Sequence, residues 1–417
     1  MNTSQTVSTF VEFFQNRGHQ EIGGSSLLPP PGDPVLYTTS GMHPLTPYLA
    51  GEPHPSGRRL TGVQRCLRTT DLDEVGDSSH LTVFQMLGSW SLGDYGGPQS
   101  LRWGLELICD HFGLKPELLY ATAFGGDEQV GPDTEAQSTW SQLGLPVELL
   151  GVDDNWWSNG PTGPCGPDSE IFVWTGTGPP ERSPSADPRW LELWNHVTMR
   201  YERHPDGSLS PLVQPSVDTG MGLERLLMVS QGVSSVYESD LFAPWVSVLP
   251  GLWGLDGRSL RIITDHLRSS IVIIGDGVRP SNTGRGYVLR RLLRRALTTL
   301  WDGESGRGEP GGGGPGRGGR GGGGRVGGGG LTLGDLPSEL IVDTASRFAM
   351  SVDASVVHEV LRTEERKFGE LLTRGRSLLR RLYPAGELSE DDYAFLHDTH
   401  GLPRELVSEL AGELRVG

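Results

Sequence analysis

The stretch at residues 217–225, V-D-T-G-M-G-L-E-R, places an acid, two glycines and a Glu-Arg pair on one short segment. Gly220 and Gly222 would let backbone and ligand approach closely where a Cβ would clash. Arg225 offers a planar set of donors that suits phosphate oxygens. The combination predicts a tightly held anionic ligand. On this stretch alone the alternative stays open, namely a glycine turn into a helix that ends in a surface ion pair.

Other segments, far apart in the chain, have the same character. They are D-P-V-L-Y-T-T-S-G at 33–41, the run from V-Q-R-C-L-R-T-T-D to S-W-S-L-G-D-Y-G-G at 63–97, N-W-W-S-N-G-P-T-G-P-C-G-P-D-S-E-I-F at 155–172, and L-E-L-W-N-H-V-T-M at 191–199. Together they resemble the catalytic domain of alanyl-tRNA synthetases, a class II aminoacyl-tRNA synthetase family, with G-M-G-L-E-R as the third class II motif. The resemblance continues through D-H-L-R-S-S at 265–270 and D-T-H-G-L-P at 398–403, and covers nearly the whole chain.

The resemblance implies a site that activates an amino acid. A carboxylate must attack the α-phosphate of ATP, so the site must shield two anions from each other, for which arginines and a metal ion are best suited. Arg68 matches the second-motif arginine that spans the α-phosphate and the substrate carboxylate, and Arg225 matches the third-motif arginine that holds the γ-phosphate. Asp218 and Asn195 match the residues that grip the α-amino group.

The predicted site therefore has three overlapping parts. The catalytic set is Arg68, Asp218 and Arg225; the alanine-binding set is Met86, Trp157, Asn195, Val197, Asp218 and Gly220; the ATP-binding set is Arg68, His80, Phe84, Gln85, Gly222 and Arg225. The implied cofactors are ATP and Mg²⁺. We expect no zinc, because Cys66, Cys109 and Cys165 are widely spaced.

Three departures from the family pattern bear on the ATP side. Gln85 stands where the family usually has glutamate, and residues 79–81 replace the arginine and paired histidines common in bacterial members. The second-motif loop is also shorter than in bacterial members of the family. Asp168 and Glu170 are candidates for a magnesium role that the sequence leaves open.

An arginine-rich helix predicts the contact with RNA. Residues 290, 291, 294 and 295 span a fan of about 140° on a helix, with leucines on the opposite side. The predicted tRNA-binding residues are Asn282, Arg285, Arg290, Arg291, Arg294, Arg295 and Asp398, of which Asn282 and Asp398 stand at matching family positions. The net charge of −17 restricts any RNA contact to a local surface. A solvated or salt-bridged face is the alternative.

The order of elements predicts an α+β fold. β-rich runs at 35–38, 81–84, 171–174 and 193–199 predict an antiparallel sheet, and helical spacing dominates at 287–300, 340–347, 354–383 and 403–415. An amphipathic helix opens the chain, with Gly18 as its C-cap. We expect a class II catalytic domain at 1–252 and a helical tRNA-recognition domain at 253–417. A glycine-rich flexible linker at 303–330 interrupts the second domain.

Composition and absent motifs narrow the class of protein. No run approaches the roughly 18 apolar residues of a membrane span and no leader opens the chain, so we expect a cytoplasmic protein, with a monomer favoured. The sequence has no P-loop, G-x-G-x-x-G or H-E-x-x-H motif. This argues against a P-loop nucleotide site, a dinucleotide site and a zinc-protease site. Family members usually continue into an editing domain, whereas this sequence stops shortly after D-T-H-G-L-P. We therefore also expect no hydrolysis of mischarged product.

The predicted function is ATP-dependent activation of alanine to alanyl-adenylate and its transfer to the 3′ end of tRNA(Ala). Two alternatives stay open. The adenylate of alanine or another small amino acid could pass to a carrier protein or a small molecule, or the chain could be a catalytically silent tRNA-binding paralogue.

Overall fold

A computed structural model describes residues 1–30, 33, 35–158, 160–305, 331–383, 387–400, 402 and 404–416. Most of the predicted glycine-rich linker, residues 306–330, lies outside the described residues. The helix before it extends to Ser305, so the first three positions assigned to the linker are helical.

A nine-stranded sheet forms the catalytic half of the chain. Its strands are β1 Gln20–Ile22, β2 Arg59–Leu67, β3 Val83–Ser91, β4 Leu119–Phe124, β5 Val147–Leu150, β6 Trp156–Ser158, β7 Gly163–Trp174, β8 Trp190–Arg203 and β9 Leu209–Gly222. The order across the sheet is β1-β2-β3-β9-β8-β7-β4-β5, with β6 paired to β7 at one side. The sheet is mixed, because β1–β2 and β4–β5 are parallel pairs while the other pairs are antiparallel.

Thirteen α-helices surround and extend this sheet in the described part of the chain. They are α1 Thr3–Gln15, α2 Thr46–Leu49, α3 Gly97–Glu106, α4 Thr134–Leu143, α5 Val152–Asn155, α6 Leu223–Ser230, α7 Ala243–Trp253, α8 Gly257–Gly275, α9 Gly284–Ser305, α10 Ser338–Arg347, α11 Ala354–Leu382, α12 Glu390–His400 and α13 Arg404–Val416. None of the described helices is both long enough and apolar enough to cross a bilayer.

The opening helix forms where its pattern predicts it. Asn2 caps α1, and the buried Phe10 and Phe14 pack on Trp194 of β8, with ring centroids 5.7 and 6.3 Å away. Asn16, not Gly18, is the C-cap; Gly18 lies three residues after the helix ends, with φ of +83°. Helical spacing of aromatic residues therefore fixes this helix against the sheet.

The helical half packs on the β2–β3 side of the sheet. Leu67 and Val83 from the sheet share one apolar core with Leu289 and Leu293 of α9. The predicted domain boundary at residue 252 falls within α7, so the first helix of this half begins before it. The division into two domains remains a prediction.

Residues 35–38 are not a strand, contrary to the sequence prediction. The amide of Thr38 donates to the carbonyl of Leu27, and the hydroxyl of Tyr37 donates to the carbonyl of Arg285. Tyr37 is buried in the core of the helical half. The β-rich composition of this run therefore reflects a partly buried loop between the two halves, not a strand.

Candidate active site

A cavity of about 490 Å³ opens beside strands β3, β7, β8 and β9. Eleven of the twelve residues predicted for alanine and ATP line it: Arg68, His80, Phe84, Met86, Trp157, Asn195, Val197, Asp218, Gly220, Gly222 and Arg225. The twelfth, Gln85, does not line the cavity. Its side-chain amide donates to the carbonyl of Arg347, 3.0 Å away, on the side of the helical half. Gln85 therefore faces away from this cavity, and a contact between Gln85 and ATP stays a prediction.

Strand periodicity explains this division. Successive side chains of a strand point to opposite faces, so Phe84 and Met86 face the cavity while Gln85 between them faces away. The register of the neighbouring strands aligns Asn195 of β8 with Gly220 of β9, and Val197 with Asp218. Two separate sequence motifs therefore meet as adjacent positions of one sheet.

Arg68 and Arg225 supply the positive charge of the cavity wall. Arg68 follows β2; its Nε donates to the carbonyl of Thr39 at 3.3 Å, and its guanidinium lies 5.2 Å from the ring centroid of Phe84. Arg225 stands in the first turn of α6, where its Nη1 lies 3.0 Å from Oε2 of Glu192. Both groups have donors that could bind phosphate oxygens.

Asp218 is a buried carboxylate at the cavity wall. Its Oδ1 accepts a hydrogen bond from the indole Nε1 of Trp90 at 2.6 Å. Burial raises the pKa of the Asp218 carboxyl to about 7, although the bond from Trp90 opposes this shift. A buried carboxylate with a raised pKa is stabilised in its ionised form by a bound cation, such as an ammonium group.

A second acidic group lies beside Asn195. The side-chain amide of Asn195 donates to Asp168 at 3.2 Å and to Glu170 at 3.3 Å, and the buried Asn155 donates to Asp168 at 2.9 Å. Burial raises the pKa of both carboxyls, and for Glu170 the nearby Glu192 and Asp168 add to the effect. Because the amide nitrogen faces these acids, Oδ1 of Asn195 is buried without a donor among the described residues.

Gly220 has a steric role in the part of the cavity that is predicted to bind alanine. A Cβ at this position would lie 2.6 Å from Sδ of Met86, so any larger residue would displace that side chain. The same sulfur accepts a hydrogen bond from the amide of Gly41 at 3.1 Å. A Cβ at Gly222 would make only ordinary contacts with Arg225, so no described neighbour requires glycine there.

His80 lines the cavity, and its ring contacts two acidic side chains of the turn that precedes it. Its Nδ1 lies 2.6 Å from Oδ2 of Asp77, and its Nε2 lies 3.1 Å from Oε2 of Glu74.

Glu224, the glutamate of the third motif, is buried. Its carboxylate accepts a hydrogen bond from the backbone amide of Gln85 and pairs with the buried Arg268 of α8 at 2.8 Å. The helical half is thus joined directly to the third motif.

Residues 5–302 and 339–416 match the family model of class II (A) tRNA synthetases. The chain belongs to this family. This match confirms the class II synthetase resemblance and the α+β fold expected from it.

Relatives named alanine–tRNA ligase support the narrower resemblance to alanyl-tRNA synthetases. That of Treponema pallidum is 40% identical over 99% of this chain and 69% of its own length. That of Treponema denticola is 45% identical over 71% of this chain and 53% of its own length. That of Rubrobacter xylanophilus is 38% identical over 99% of this chain and 47% of its own length. The chain thus spans about half to two thirds of the relatives that it matches.

A solved histidyl-tRNA synthetase from S. aureus matches with a TM-score of 0.35 and 14% identity, over 64% of this chain and 75% of that chain. This similarity is too low to add to the family assignment. The expected absence of editing remains a prediction.

The predicted tRNA-binding arginines are placed less uniformly than the helical fan suggests. Nε of Arg290 and Nε of Arg294 both approach Oε1 of the buried Glu364 in α11, at 3.1 and 2.9 Å. Arg290 also donates to Oδ1 of Asn282. Arg291 is exposed, and pairs only loosely with the exposed Asp73.

The other predicted tRNA contacts also have partners within the chain or lie outside the description. Nη1 of Arg295 donates to the carbonyl of Leu72, and Nε of Arg285 donates to the carbonyl of Leu36 at 2.6 Å. Asp398 lies on α12, but its side chain is outside the described residues. The alternative of a salt-bridged face therefore describes most of this fan, whereas Arg291 remains open to a partner.

Sequence reasoning missed several cavity residues. Glu192 and Asp154 line it, as do Thr39 and Trp156. Glu192 stands in the L-E-L-W-N run used for the resemblance, three positions before Asn195, and strand periodicity alone would not place both at one cavity. The bulge in the β7–β8 pairing between Ile171 and Phe172 shifts the register at this point.

Proposed function

We propose that this protein activates alanine with ATP to form alanyl-adenylate and transfers the alanyl group to the 3′ end of tRNA(Ala). The observation that carries the proposal is the lining of one cavity. Two arginines suited to phosphate and one buried carboxylate suited to an ammonium group occupy its wall together. An enzyme that joins a zwitterionic amino acid to ATP needs this combination.

In the proposed reaction, a carboxylate oxygen of alanine attacks the α-phosphorus of ATP. The new P–O bond forms as the bond to the β-phosphate oxygen breaks, and pyrophosphate leaves with that electron pair. Arg68 lies between the two reacting anions and stabilises the charge of the transition state, while Arg225 holds the terminal phosphate. Both act by donating fixed hydrogen bonds, so neither has to gain or lose a proton.

Alanine is held at its ammonium end. Asp218 accepts from this group once ionised, and Oδ1 of Asn195 is an acceptor without a donor among the described residues. The acids behind Asn195 fix its amide so that the oxygen faces the ligand. Binding of the cation favours the ionised form of Asp218 and is therefore coupled to release of a proton near neutral pH.

Selection of alanine depends on a small apolar space. Val197 and Trp157 belong to the apolar cluster that contains Trp90, and Met86 is packed over Gly220. A wall of this kind excludes large side chains sterically. One methyl group is worth about 1 to 3 kcal/mol, so discrimination against glycine is modest.

Magnesium fits the phosphate side of the cavity. Within the described part of the chain no cluster of three His, Cys, Asp or Glu side chains is arranged to bind a metal. Mg²⁺ usually takes one or two carboxylates and completes its shell with phosphates and water, however. Glu192, half-exposed beside Arg225, would hold such an ion, which would neutralise phosphate charge.

Transfer to tRNA is supported by the names of the relatives, which are alanine–tRNA ligases, and by the exposed Arg291. Neither the carrier-protein alternative nor the silent paralogue has such support. We place the reaction in the cytoplasm and favour a monomer as the active species.

The test is alanine-dependent exchange of pyrophosphate into ATP, screened across the twenty amino acids, followed by charging of total tRNA. Exchange with alanine and esterification of tRNA(Ala) would support the proposal. Exchange without any charged tRNA would favour the carrier-protein alternative, and tRNA binding without exchange would favour the silent paralogue.

A further inference from the structure

Three arginines of the helical half converge on one segment of main chain. Arg258 and Arg261 belong to α8 and Arg295 to α9, and all three donate to carbonyl oxygens of residues 72–77. This segment joins β2 to β3, between Arg68 and His80 of the cavity. The relevant arginines of α8 play no part in the sequence resemblance described above.

The individual contacts cover the segment from end to end. Nη1 of Arg295 donates to the carbonyl of Leu72, and its Nη2 to that of Val75 at 3.3 Å. Nη2 of Arg258 reaches the same Val75 carbonyl at 3.4 Å. Nη1 of Arg261 reaches the carbonyls of residues 76 and 77, at 3.5 and 3.2 Å. Apart from the bond between Arg295 and Leu72, these distances are 3.2 to 3.5 Å, so the effect depends on the whole set of bonds.

Apolar packing and backbone conformation support the same docking. Leu72 and Val75 are fully buried against their neighbours. Gly76 has φ of +113°, and a Cβ there would lie 2.9 Å from Cγ1 of Ile262 and 3.0 Å from Cγ of Arg258. A glycine is therefore needed both for the left-handed backbone and for the close approach of α8.

The C-terminal end of the 72–77 segment leads directly into residues that line the predicted ATP side of the cavity. Oδ1 of Asp77 accepts from the amides of Ser79 and His80 at 2.9 and 2.8 Å, and Oδ2 lies 2.6 Å from Nδ1 of His80. Residues 79, 80 and 81 line the cavity. Any movement of the main chain at residue 77 therefore moves the ring of His80.

We propose that Arg258, Arg261 and Arg295 are positioning residues that fix the ATP side of the cavity through the main chain of residues 72–77. The claim rests on the proposed function only in naming the ligand as ATP. None of the three arginines lines the cavity. They act because a guanidinium is always charged and can bridge two carbonyls, whereas an uncharged side chain of similar length cannot do both.

The arrangement gives the helical half direct control of nucleotide binding. Arg295 stands one helical turn after the exposed Arg291, on the helix predicted to contact RNA. The helix predicted to contact RNA thus also holds the wall of the proposed ATP site, and α8 contributes the two remaining arginines.

The test compares wild type, the double variant Arg261→Gln/Arg295→Gln, and the matched control Arg366→Gln. Within the described part of the chain, Arg366 pairs with the exposed Glu370 on α11, so its loss is expected to be silent. Two readouts are needed. Hydrogen–deuterium exchange follows the amides of residues 72–80, and pyrophosphate exchange gives separate KM values for ATP and alanine without tRNA.

In the double variant, the loop amides should exchange at least about fivefold faster than in wild type. KM for ATP should rise about tenfold, the loss of one charge-assisted hydrogen bond, while KM for alanine stays within about twofold. Arg261→Lys should restore most of the ATP affinity that Arg261→Gln loses, since one ammonium group can donate to two neighbouring carbonyls.

If the amides of residues 72–80 exchange at an unchanged rate, the arginines do not hold this segment and the proposal fails. If these amides exchange faster while KM for ATP is unchanged, the positioning role fails. An equal rise in KM for ATP and for alanine would also overturn it. Thermal unfolding checks that the double variant is folded; if it is not, the single Arg261→Gln variant takes its place. If wild type itself shows no exchange of pyrophosphate, the proposed function fails. Amide exchange still shows in that case whether the arginines hold residues 72–77.

Discussion

The indole Nε1 of Trp90 donates a hydrogen bond of 2.6 Å to Oδ1 of Asp218, its direct neighbour across the β3–β9 pair. The side chain of Trp90 is buried in an apolar cluster, and the Asp218 carboxylate accepts the hydrogen bond from its indole. Asp218 is thus held in one orientation within surroundings that oppose its charge. It is ready to bind a cation, and its ionised form lowers the stability of the empty protein.

Asp218→Asn should stabilise the fold and abolish activity. The side-chain amide of this variant could still accept from Trp90 but would carry no charge. The pKa of Asp218 is about 7 in the folded state against 3.8 ordinarily, so wild type loses stability as the pH rises from about 4 to 7. At pH 8 the variant should be more stable by roughly 2 to 4 kcal/mol in urea unfolding.

The difference in stability should be small near pH 4 and should vanish below about pH 3, where the Asp218 carboxyl is protonated in both folded and unfolded chains. Alanine-dependent exchange should be lost in the variant at every pH. A variant that is no more stable at pH 8 than at pH 4, relative to wild type, would contradict the raised pKa.

Alanine binding should weaken in acid. Because the ammonium group needs the ionised carboxylate, KM for alanine should rise about tenfold per unit as the pH falls below about 7. Steady-state exchange between pH 5.5 and 8.5 measures this dependence. KM for ATP, recorded over the same range, separates the effect from titration of the phosphates.

Trp90→Phe should move this profile to higher pH. The bond from Trp90 lowers the pKa of Asp218, so its removal should raise the midpoint while leaving KM for alanine similar at pH 9. An unshifted midpoint in a folded variant would show that the indole does not control the carboxylate.

The sequence predicts single segments well and their partners poorly. Arg225 and Asp218 stand seven residues apart in one motif, so local spacing identifies both. The pairing of Asp218 with Trp90 depends on the register of two strands that are 128 residues apart, which the tertiary fold decides. The motif places Gln85 among the predicted ATP contacts, although period-two alternation next to Phe84 and Met86 already indicates that its side chain faces the other way.

The arginine helix shows the same limit. Its apolar spacing correctly predicted which side of α9 is buried in the core. The polar side could not be divided further, because its partners Glu364 and Leu72 lie 70 and 223 residues from the arginines that contact them. Charge patterning identifies a polar face, but only packing shows which part of that face is covered.

Arg68→Lys should lose exchange activity in a folded protein. Lysine keeps the charge but not the planar set of donors that could bridge two anions. We expect a loss of at least about 100-fold in kcat/KM, equivalent to removing one preorganised electrostatic group. Arg102→Gln, on the exposed side of α3, is the control, and its activity should match wild type. Equal activity of all three proteins would exclude Arg68 from the reaction.

Loss of both Arg290 and Arg294 should destabilise the helical half. Their guanidinium groups meet Oε1 of Glu364, which is about 1% exposed. Arg290→Gln/Arg294→Gln leaves this carboxylate buried without a cation, which should cost about 3 kcal/mol in the free energy of unfolding. Adding Glu364→Gln should recover part of the loss. No change in urea unfolding would contradict a structural role for these two arginines.

Arg291 is the arginine of this helix on which RNA binding can be tested most directly. Its side chain is 48% exposed and its ion pair with Asp73 is solvated, so Arg291→Gln should alter stability by less than about 0.5 kcal/mol. If α9 contacts the phosphate backbone of tRNA, the variant should raise KM for tRNA in charging assays. The slope of log affinity against log salt should fall by about one.

Alanine-dependent exchange, which involves no RNA, serves as the internal reference for Arg291→Gln. Asp73→Asn removes the same ion pair from the other side, but it should leave Arg291 free to bind and should not weaken charging. If both variants lose charging equally, the effect comes from the 72–77 segment. If neither does, the acceptor binds elsewhere, and the arginines of α9 serve only the fold and the ATP side of the cavity.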